Sequence, residues 1–293
     1  MSRNAAWTEW RSIEPPVDMD PGVLAELLNG GQAFRWNPCA GGAWEGVWGD
    51  LAARIRHEGG GSLQWSAPVP MAASAGPALA HYLDAARDAA GLADTLPWRS
   101  DAHLARCIGA FPGLRVLRQP FGETLLCFLC SSAKRIVQIK QMSGFLAERH
   151  GYQLAGHPGR RLPTWDELAA TTEAELRACR LGFRAAYVRE TARFLASSPG
   201  WLDETEALPY PEARLRLCTL PGVGEKIADC VLLYGGGRLE SFPVDVWIHR
   251  AIARHYGLEG WRPAQIAQFG RSHFGPLAGL AQQYLFAWER NVR

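Results

Sequence analysis

Lysine is almost absent from this sequence of 293 residues. Of its 31 basic residues, 28 are arginines and three are lysines, namely Lys134, Lys140 and Lys226. We attribute most of the arginines to a biased nucleotide composition. A lysine that persists in such a chain is a candidate for amine chemistry, because an amine can act as a nucleophile and a guanidinium cannot.

Long apolar segments and disulfide patterns are also absent. No run of about 18 apolar residues occurs, and no charged segment followed by an apolar one indicates a signal peptide. The seven cysteines are an odd number and lack the spacing of a secreted disulfide framework. We therefore expect a soluble intracellular protein, in the cytoplasm and nucleoid or in the nucleus, that binds no membrane.

The sequence does not indicate a metal or redox centre either. Cys127 and Cys130 form a C-x-x-C motif inside an apolar run and without a second pair, which favours a buried helix face. The sequence has no four-cysteine cluster near its end, so we do not expect an iron–sulfur centre. The eight histidines are scattered, so we expect no cofactor.

The net charge of +2 is small but unevenly distributed. Residues 1–98 carry 6 basic and 11 acidic side chains, residues 99–193 carry 15 and 8, and residues 194–293 carry 10 and 10. A central region with a net charge of +7 (15 minus 8) is compatible with a polyanionic partner. A solvated arginine-rich face is the simpler explanation.

The hydrophobic pattern changes from strand-like to helical near residue 77. Aromatic and β-branched runs between glycine-rich turns predict an antiparallel sheet, and a period of 3.6 predicts helices after it. A first short helix is predicted between Asp20 and Asn29. The predicted strands are 32–36, 43–49, 51–58 and 62–68. The predicted later helices are 77–89, 101–110, 121–130, 134–149, 166–170, 173–180, 184–196, 210–218, 225–235, 246–256, 263–273 and 276–290.

We predict an α+β fold in which a small sheet domain precedes an all-α body. The predicted units are a sheet domain at 1–98, a helical subdomain at 99–209 that is completed by 275–293, and a second helical subdomain at 210–274.

The most informative segment joins two predicted helices at residues 220–224, which read LPGVG. Gly222 and Gly224 flank one valine and permit a tight hairpin that exposes backbone amides at the start of the next helix. Those amides and the positive end of the helix dipole suit a DNA phosphate, as in the helix-hairpin-helix motif. A nucleotide-binding P-loop is excluded because Ile227 stands where Ser or Thr is required.

Lys226 is predicted to be the second residue of the helix after this hairpin. The helix dipole disfavours an ammonium there and increases the fraction of free amine, although a phosphate contact is the plainer interpretation. Asp245 lies 19 residues further on and precedes an amphipathic run that ends at Gly257. By position it is an N-cap, and beside the amine it can also stabilise positive charge on a reacting sugar.

Several motifs follow one another along the chain. They are GGQAFRW at 30–36, CSS at 130–132, LGFRAAYV at 181–188, LPGVGEKIADC at 220–230, PVDV at 243–246 and GPLAGLAQQYLF at 275–286. With them the sequence resembles the 8-oxoguanine DNA glycosylase/lyase family of the helix-hairpin-helix DNA glycosylase superfamily. The resemblance implies a TATA-binding-protein-like antiparallel sheet domain and two helical subdomains with the cleft between them.

The resemblance also implies the roles of the two chemical residues. Lys226 is expected to displace the damaged base at C1′ of the deoxyribose, and Asp245 to assist its departure and to position the amine. The resulting imine allows β-elimination and cleavage of the strand 3′ to the lesion.

The same resemblance implies a base pocket formed by Gly31, Cys230, Gln282 and Phe286. The Gly31 carbonyl is expected to accept the N7–H of 8-oxoguanine, while Cys230 and Phe286 enclose the base and Gln282 reads its Watson–Crick edge. Cys230 and Phe286 also fit an ordinary apolar core. Gln283 is adjacent to Gln282, so the sequence leaves open which glutamine faces inward.

The chain departs from the family at the residues that handle the opposite strand. Ala133, Lys134 and Arg135 stand where the family usually has asparagines, one of which fills the space of the flipped base. Gln138 replaces an arginine that contacts the opposite cytosine, and a histidine near the phosphates is replaced by Trp247. The DNA-contacting residues that we expect are Lys134, Arg135, Phe183, Arg184, Gly222 and Gly224.

Of two expected cytosine readers only Arg184 is kept, beside Phe183 in the position of an aromatic wedge. We therefore expect weak discrimination of the opposite base. The expected partner is double-stranded DNA that contains oxidised guanine, bound by a monomer. By resemblance, the carbonyls of Cys218, Leu220 and Val223 hold a structural monovalent cation.

The leading hypothesis is a bifunctional DNA repair glycosylase with lyase activity at the abasic site. Two alternatives remain open from sequence: a related glycosylase for other oxidised or alkylated purines, and a non-catalytic DNA-binding module. Lys226 and Asp245 at family spacing argue against the binding module, because binding the DNA backbone requires neither.

Overall fold

A computed structural model describes residues 6–58 and 61–291 of the chain. Five antiparallel strands form a sheet near its beginning. They are β1 (Arg11–Ser12), β2 (Trp36–Pro38), β3 (Trp44–Trp48), β4 (Leu51–His57) and β5 (Leu63–Ser66). The order in the sheet is β1-β5-β4-β3-β2, so β2 to β5 form a meander and β1 pairs with β5 at its edge.

The other regular elements of the described chain are helices. Helix α1 (Pro21–Asn29) lies between β1 and β2 in sequence. The helices after the sheet are α2 (Ala72–Tyr82), α3 (Ala89–Thr95), α4 (Ala102–Ala110), α5 (Phe121–Leu129), α6 (Ile136–His150), α7 (Trp165–Ala169), α8 (Glu173–Ala178), α9 (Arg184–Ala196), α10 (Trp201–Ala207), α11 (Tyr210–Leu217), α12 (Glu225–Tyr234), α13 (Val246–Tyr256), α14 (Pro263–Phe274) and α15 (Ala278–Asn291). Helix α12 packs against α5 and α11, and α15 packs against α4, α13 and α14.

One hydrophobic core extends from the sheet into the helical body, with buried residues from Ile13 to Ala287. The predicted α+β architecture, a sheet followed by helices, is confirmed. Cys127 and Cys130 are buried and all seven cysteines are free, which confirms that the C-x-x-C motif is part of a buried helix face. Within the described residues, no helix combines the length and apolar character needed to span a membrane.

Trp36 of β2 is the largest fully buried side chain in the described chain and joins the sheet to the helices. Its ring stacks on Trp48 with the centroids 5.7 Å apart, and its Nε1 donates a hydrogen bond of 3.1 Å to the Tyr82 hydroxyl of α2. Gly46 is its partner across the β2–β3 ladder, and a Cβ at that position would lie 2.2 Å from the Trp36 ring. A glycine is therefore required beneath the tryptophan.

The strand predicted at 32–36 is wrong except for its last residue, because β2 begins only at Trp36. The Gln32 side chain instead donates to the Arg115 carbonyl at 2.9 Å and accepts from the Leu117 amide at 2.9 Å. The Arg35 carbonyl still accepts from the Val47 amide of β3 at 3.3 Å, so tertiary hydrogen bonds replace the strand ladder only over residues 32–34. This irregular segment contributes to the site described below.

The helix predicted at 77–89 is wrong at both ends, since α2 begins at Ala72 and ends at Tyr82. Asp84 has a φ of +51°, which ends the helical path there. The apolar pattern also misses α3 and α10, which are only seven residues long each. The other predicted later helices are confirmed to within two residues at each end.

Replacing Gly46 with alanine is expected to destabilise the protein by about 1–3 kcal/mol, because the new methyl group overlaps the Trp36 ring. The matched control is Gly144→Ala in the middle of α6, where a Cβ meets no atom within 4 Å. That change is expected to stabilise the protein by up to about 1 kcal/mol through helix propensity. Urea denaturation of both variants measures the difference, and equal effects would contradict the packing described for Trp36.

Candidate active site

The predicted hairpin lies between α11 and α12, where the Val223 amide donates to the Leu220 carbonyl at 3.1 Å. Gly222 has a φ of +77°, and a Cβ there would lie 2.6 Å from the Tyr187 ring, so both the backbone and the packing require glycine. A Cβ at Gly224 would meet no atom within 4 Å. The start of α12 is therefore open to an incoming anion.

A cleft of about 760 Å³ lies beside the start of α12. Its walls come from the end of α5, the α5–α6 loop, α12, the start of α13 and α15. The predicted site residues that line it are Gly31, Lys134, Arg135, Lys226, Cys230, Asp245, Gln282 and Phe286. The structure thus brings together both predicted catalytic residues and all four predicted base-pocket residues.

Lys226 is the second residue of α12, as predicted, and its side chain extends into the cleft. Its Nζ lies 5.2 Å from the centroid of the Phe128 ring, and Cys230 follows one turn further along the helix. Burial raises the pKa of the Cys230 thiol to about 11. The thiol is therefore neutral near pH 7.

Phe128 is a cleft residue that the sequence analysis did not identify. Its ring stacks on Tyr234 with centroids 5.4 Å apart and meets Phe34 edge-on at 5.4 Å. These aromatic rings form an apolar floor beneath Lys226. Phe128 lies in the apolar run that contains Cys127 and Cys130, where a site residue cannot be distinguished from the core by pattern alone.

Asp245 is the N-cap of α13, as predicted, and its Oδ1 accepts hydrogen bonds from the amides of Trp247 at 3.0 Å and Ile248 at 2.9 Å. Burial raises the pKa of its carboxyl group, while the capping amides and the positive charge of Lys226 partly oppose that rise. The predicted N-cap is confirmed, and the Asp245 carboxylate lies near enough to Lys226 for the two charges to interact. Trp247 also lines the cleft.

Gly31 adopts a φ of +115°, which favours glycine. A Cβ at this position would lie 3.1 Å from Ile136 Cδ1 and 3.8 Å from Phe286 Cζ, so backbone and cleft wall are in close contact. Within the described residues the Gly31 carbonyl accepts no hydrogen bond. It is free to accept one from a ligand in the cleft.

Gln282, rather than Gln283, lines the cleft. Its Nε2 donates to the Pro243 carbonyl at 3.2 Å, and its Oε1 accepts from Gln283 Nε2 at 2.5 Å. Gln283 in turn donates to the Tyr234 hydroxyl at 2.6 Å. The structure thus shows that Gln282 is the glutamine that faces the cleft. The chain of hydrogen bonds through Pro243, Gln283 and Tyr234 fixes the orientation of its amide.

Phe183 and Arg184 lie at the start of α9, outside the residues that line the cleft. Phe183 is 55% exposed, and the Arg184 guanidinium lies 4.2 Å from the centre of its ring. Arg184 is 3% exposed and donates to the Leu181 carbonyl at 3.2 Å, while its buried Nε has no partner among the described residues. Burial lowers the pKa of the guanidinium.

The α5–α6 loop places Lys134 and Arg135 at the rim of the cleft. Ala133 has a φ of +52°, a conformation that asparagine tolerates better than alanine. The Gln138 side chain accepts from the Arg135 amide at 3.0 Å and so caps the start of α6. In this conformation Gln138 is engaged within its own loop.

Residues 128–274 match the family of HhH-GPD superfamily base excision DNA repair proteins, and residues 17–125 match the N-terminal domain of 8-oxoguanine DNA glycosylase. The chain is 31% identical over 275 residues to the N-glycosylase/DNA lyase OGG1 of Arabidopsis thaliana, covering 88% of this chain and 75% of that protein. Two solved structures are similar over 97% of this chain. They are MBOgg1 with a low-affinity DNA ligand (TM-score 0.83, 31% identity, 99% of that chain) and the Clostridium acetobutylicum 8-oxoguanine glycosylase/lyase with dsDNA containing cytosine opposite to 8-oxoG (TM-score 0.83, 27% identity, 98% of that chain).

The chain belongs to the HhH-GPD superfamily of base excision DNA repair proteins. Within that superfamily it is a member of the 8-oxoguanine N-glycosylase/DNA lyase family.

Asp245→Asn separates the two roles of this residue. Asparagine is an N-cap of similar quality, so the melting temperature is expected to stay within about 2 °C of the wild type. Base excision is expected to fall about 10²- to 10³-fold, because the charge that stabilises a developing cation is lost. Asp245→Ala is the control and is expected to lose activity and also about 1 kcal/mol of stability. Full activity of the asparagine variant would contradict the electrostatic role.

The pH dependence of excision tests the same carboxylate. Because burial raises the pKa of Asp245, the wild type loses its carboxylate at a higher pH than an exposed aspartate, whose pKa is about 3.9. We expect kcat to decrease as the pH falls through this raised pKa, and the residual activity of Asp245→Asn to lack that decrease. Single-turnover rates across the acidic range measure it.

Proposed function

We propose that this chain excises 8-oxoguanine from duplex DNA and cleaves the abasic strand, using Lys226 as the nucleophile. The observation that carries the proposal is the joint placement of three groups in one cleft, the Lys226 amine, the Asp245 carboxylate and the unpaired Gly31 carbonyl. A binding module needs none of the three, and a glycosylase that activates water does not need the lysine.

The chemistry begins with the free amine of Lys226. Its Nζ forms a bond to C1′ of the deoxyribose while the bond from C1′ to the base nitrogen breaks and its electron pair leaves with the base. Asp245 stabilises the positive charge that develops on the sugar, in a cleft whose apolar floor strengthens the interaction. Opening of the sugar ring gives an imine, and loss of a C2′ proton then expels the 3′ phosphate.

Recognition of the flipped base rests on the opposite wall of the cleft. The Gly31 carbonyl accepts the N7–H that 8-oxoguanine has and guanine lacks, while guanine would leave that carbonyl buried and unpaired. Phe286 and the neutral Cys230 enclose the two faces of the base. The amide of Gln282, held by Pro243 and Gln283, reads its Watson–Crick edge.

Duplex DNA is bound by a monomer through the surface around the cleft. The amides at Gly222 and Gly224 contact a phosphate without base readout. The exposed residues near the cleft that contact the strands are Lys134, Arg135 and Phe183, whereas Arg184, expected from the sequence to touch DNA, is 3% exposed and lies against the Phe183 ring. The positive charges of Lys134 and Arg135 lie in residues 99–193, the region with a net charge of +7. This local positive charge can attract DNA although the net charge of the whole chain is close to zero.

The hairpin carbonyls fit a monovalent cation. Within the described chain, the carbonyls of Cys218 and Val223 accept no hydrogen bond, and Leu220 accepts only the Val223 amide. Three carbonyls with unused lone pairs on one turn offer the oxygen ligands that such an ion prefers. Bound there, the ion would add positive charge beside the phosphate.

Lys226→Gln and Lys226→Arg both remove the nucleophile, and arginine keeps the positive charge. Excision of 8-oxoguanine is expected to fall at least about a thousandfold in both variants, with duplex binding retained. The measurement is base release and strand cleavage on a duplex with one 8-oxoguanine. Full excision by the glutamine variant would refute the mechanism, and activity of the arginine variant alone would assign the role to charge.

The base opposite the lesion is expected to matter little. Ala133 offers no hydrogen-bonding side chain, Gln138 caps its own helix and Arg184 is 3% exposed, so none of these three positions presents a strong cytosine reader. We expect similar kcat/KM values on duplexes with cytosine or adenine opposite 8-oxoguanine. Gln138→Arg adds one donor and is expected to increase the preference for cytosine about five- to hundredfold, at about 1–3 kcal/mol per base contact. A strong preference for cytosine in the wild type would contradict this prediction.

A further inference from the structure

Residues 30–35 hold the Gly31 carbonyl but belong to no helix or strand. On one side this segment is fixed by residues 115–119. The Gln32 side chain bonds the backbone at Arg115 and Leu117, and Gln119 Nε2 donates to the Gln32 carbonyl at 2.7 Å. These contacts act inside the segment and do not set the separation of its two ends.

The two ends of the segment are joined by Lys140, in the first half of α6. Its Nζ donates to Asn29 Oδ1 at 2.7 Å, one residue before the segment, and to the Trp36 carbonyl at 2.6 Å, directly after it. Lys140 is therefore not an ordinary solvated surface lysine. The compact ammonium reaches both oxygens, and pattern analysis could not show this because the partners lie more than 100 residues away.

Helix α6 also forms the wall against which Gly31 packs. Its first residue, Ile136, lies 3.1 Å from the position of a Cβ at Gly31. One turn later Lys140 fixes the segment ends, and Arg35 donates to the Ser143 carbonyl of the same helix at 3.1 Å. The helix therefore sets where the Gly31 backbone lies relative to the cleft at three successive points.

Lys140 occupies a costly environment for a cation. It is half-buried, burial lowers its pKa, and no carboxylate in the described part of the chain pairs with it. Both of its acceptors are neutral oxygens. A desolvated ammonium used only for general stability would be replaced at little loss by an apolar side chain.

We infer that Lys140 is a positioning residue that holds the Gly31 carbonyl where it reads the N7–H of the flipped base. This inference rests on the proposed function, because it assigns Lys140 to lesion recognition at the same site. Lyase chemistry at an abasic site involves Lys226 and Asp245 and has no base to read. Loss of the Lys140 contacts therefore affects excision and spares strand cleavage at a preformed abasic site.

The test compares Lys140→Met, which keeps the length of the side chain and removes both hydrogen bonds, with the wild type. We expect kcat/KM for excision of 8-oxoguanine to fall roughly tenfold to a hundredfold, as for a misplacement of about 1 Å in a recognition group. The rate of β-elimination on a preformed abasic duplex is expected to stay unchanged. Gln141→Met, an exposed position on the same helix, is the matched control and is expected to change neither rate.

Two variants at Asn29 keep the test decisive if Lys140→Met folds poorly. Asn29 is exposed, and Asn29→Ala removes one of the two acceptors, so a smaller loss of excision with normal lyase activity is expected. Asn29→Asp keeps an acceptor oxygen and is expected to retain wild-type discrimination between 8-oxoguanine and guanine. Equal losses of excision and lyase activity in Lys140→Met or Asn29→Ala would overturn the positioning role. Unchanged excision in both of these variants would also overturn it. A wild type that releases no 8-oxoguanine would instead refute the proposed function itself.

Discussion

The site depends on the placement of two oppositely charged side chains at two helix starts that line one cleft. Lys226 lies in the first turn of α12 and Asp245 caps α13, so the backbone of each helix determines where its charged group lies. Burial alone would leave Asp245 protonated at a higher pH, and the capping amides and Lys226 oppose that shift. The same carboxylate thus caps α13 and interacts with the charge of Lys226.

The placement of Lys226 and Asp245 could be predicted from sequence because it is encoded locally. The hairpin glycines, Lys226 at the second helical position and Asp245 before an amphipathic run are all defined by neighbours within a few residues. Burial of Phe128 under the amine, the irregular path of residues 32–35 and the helix α10 depend on contacts between distant segments. Residues 32–36 have the composition of a strand, and the hydrogen bonds of Gln32 to residues 115–117 prevail over that preference.

The three lysines of the chain have different environments. Lys226 is the amine of the cleft, Lys134 lies at its rim, and Lys140 is half-buried against two neutral oxygens. An arginine could replace Lys134 with little change in charge. At Lys140 a compact ammonium is needed and at Lys226 a free amine, and arginine provides neither. The few lysines in this arginine-rich chain therefore include two that arginine could not replace.

The central claim is that Lys226 itself becomes covalently attached to the sugar. Borohydride reduction during turnover on a duplex with one 8-oxoguanine traps an imine as a stable amine, and peptide mass mapping then locates it. We expect one adduct, on the peptide that contains Lys226, and none with Lys226→Gln. An adduct at Lys134 or Lys140, or release of the base without any trapped adduct, would contradict it.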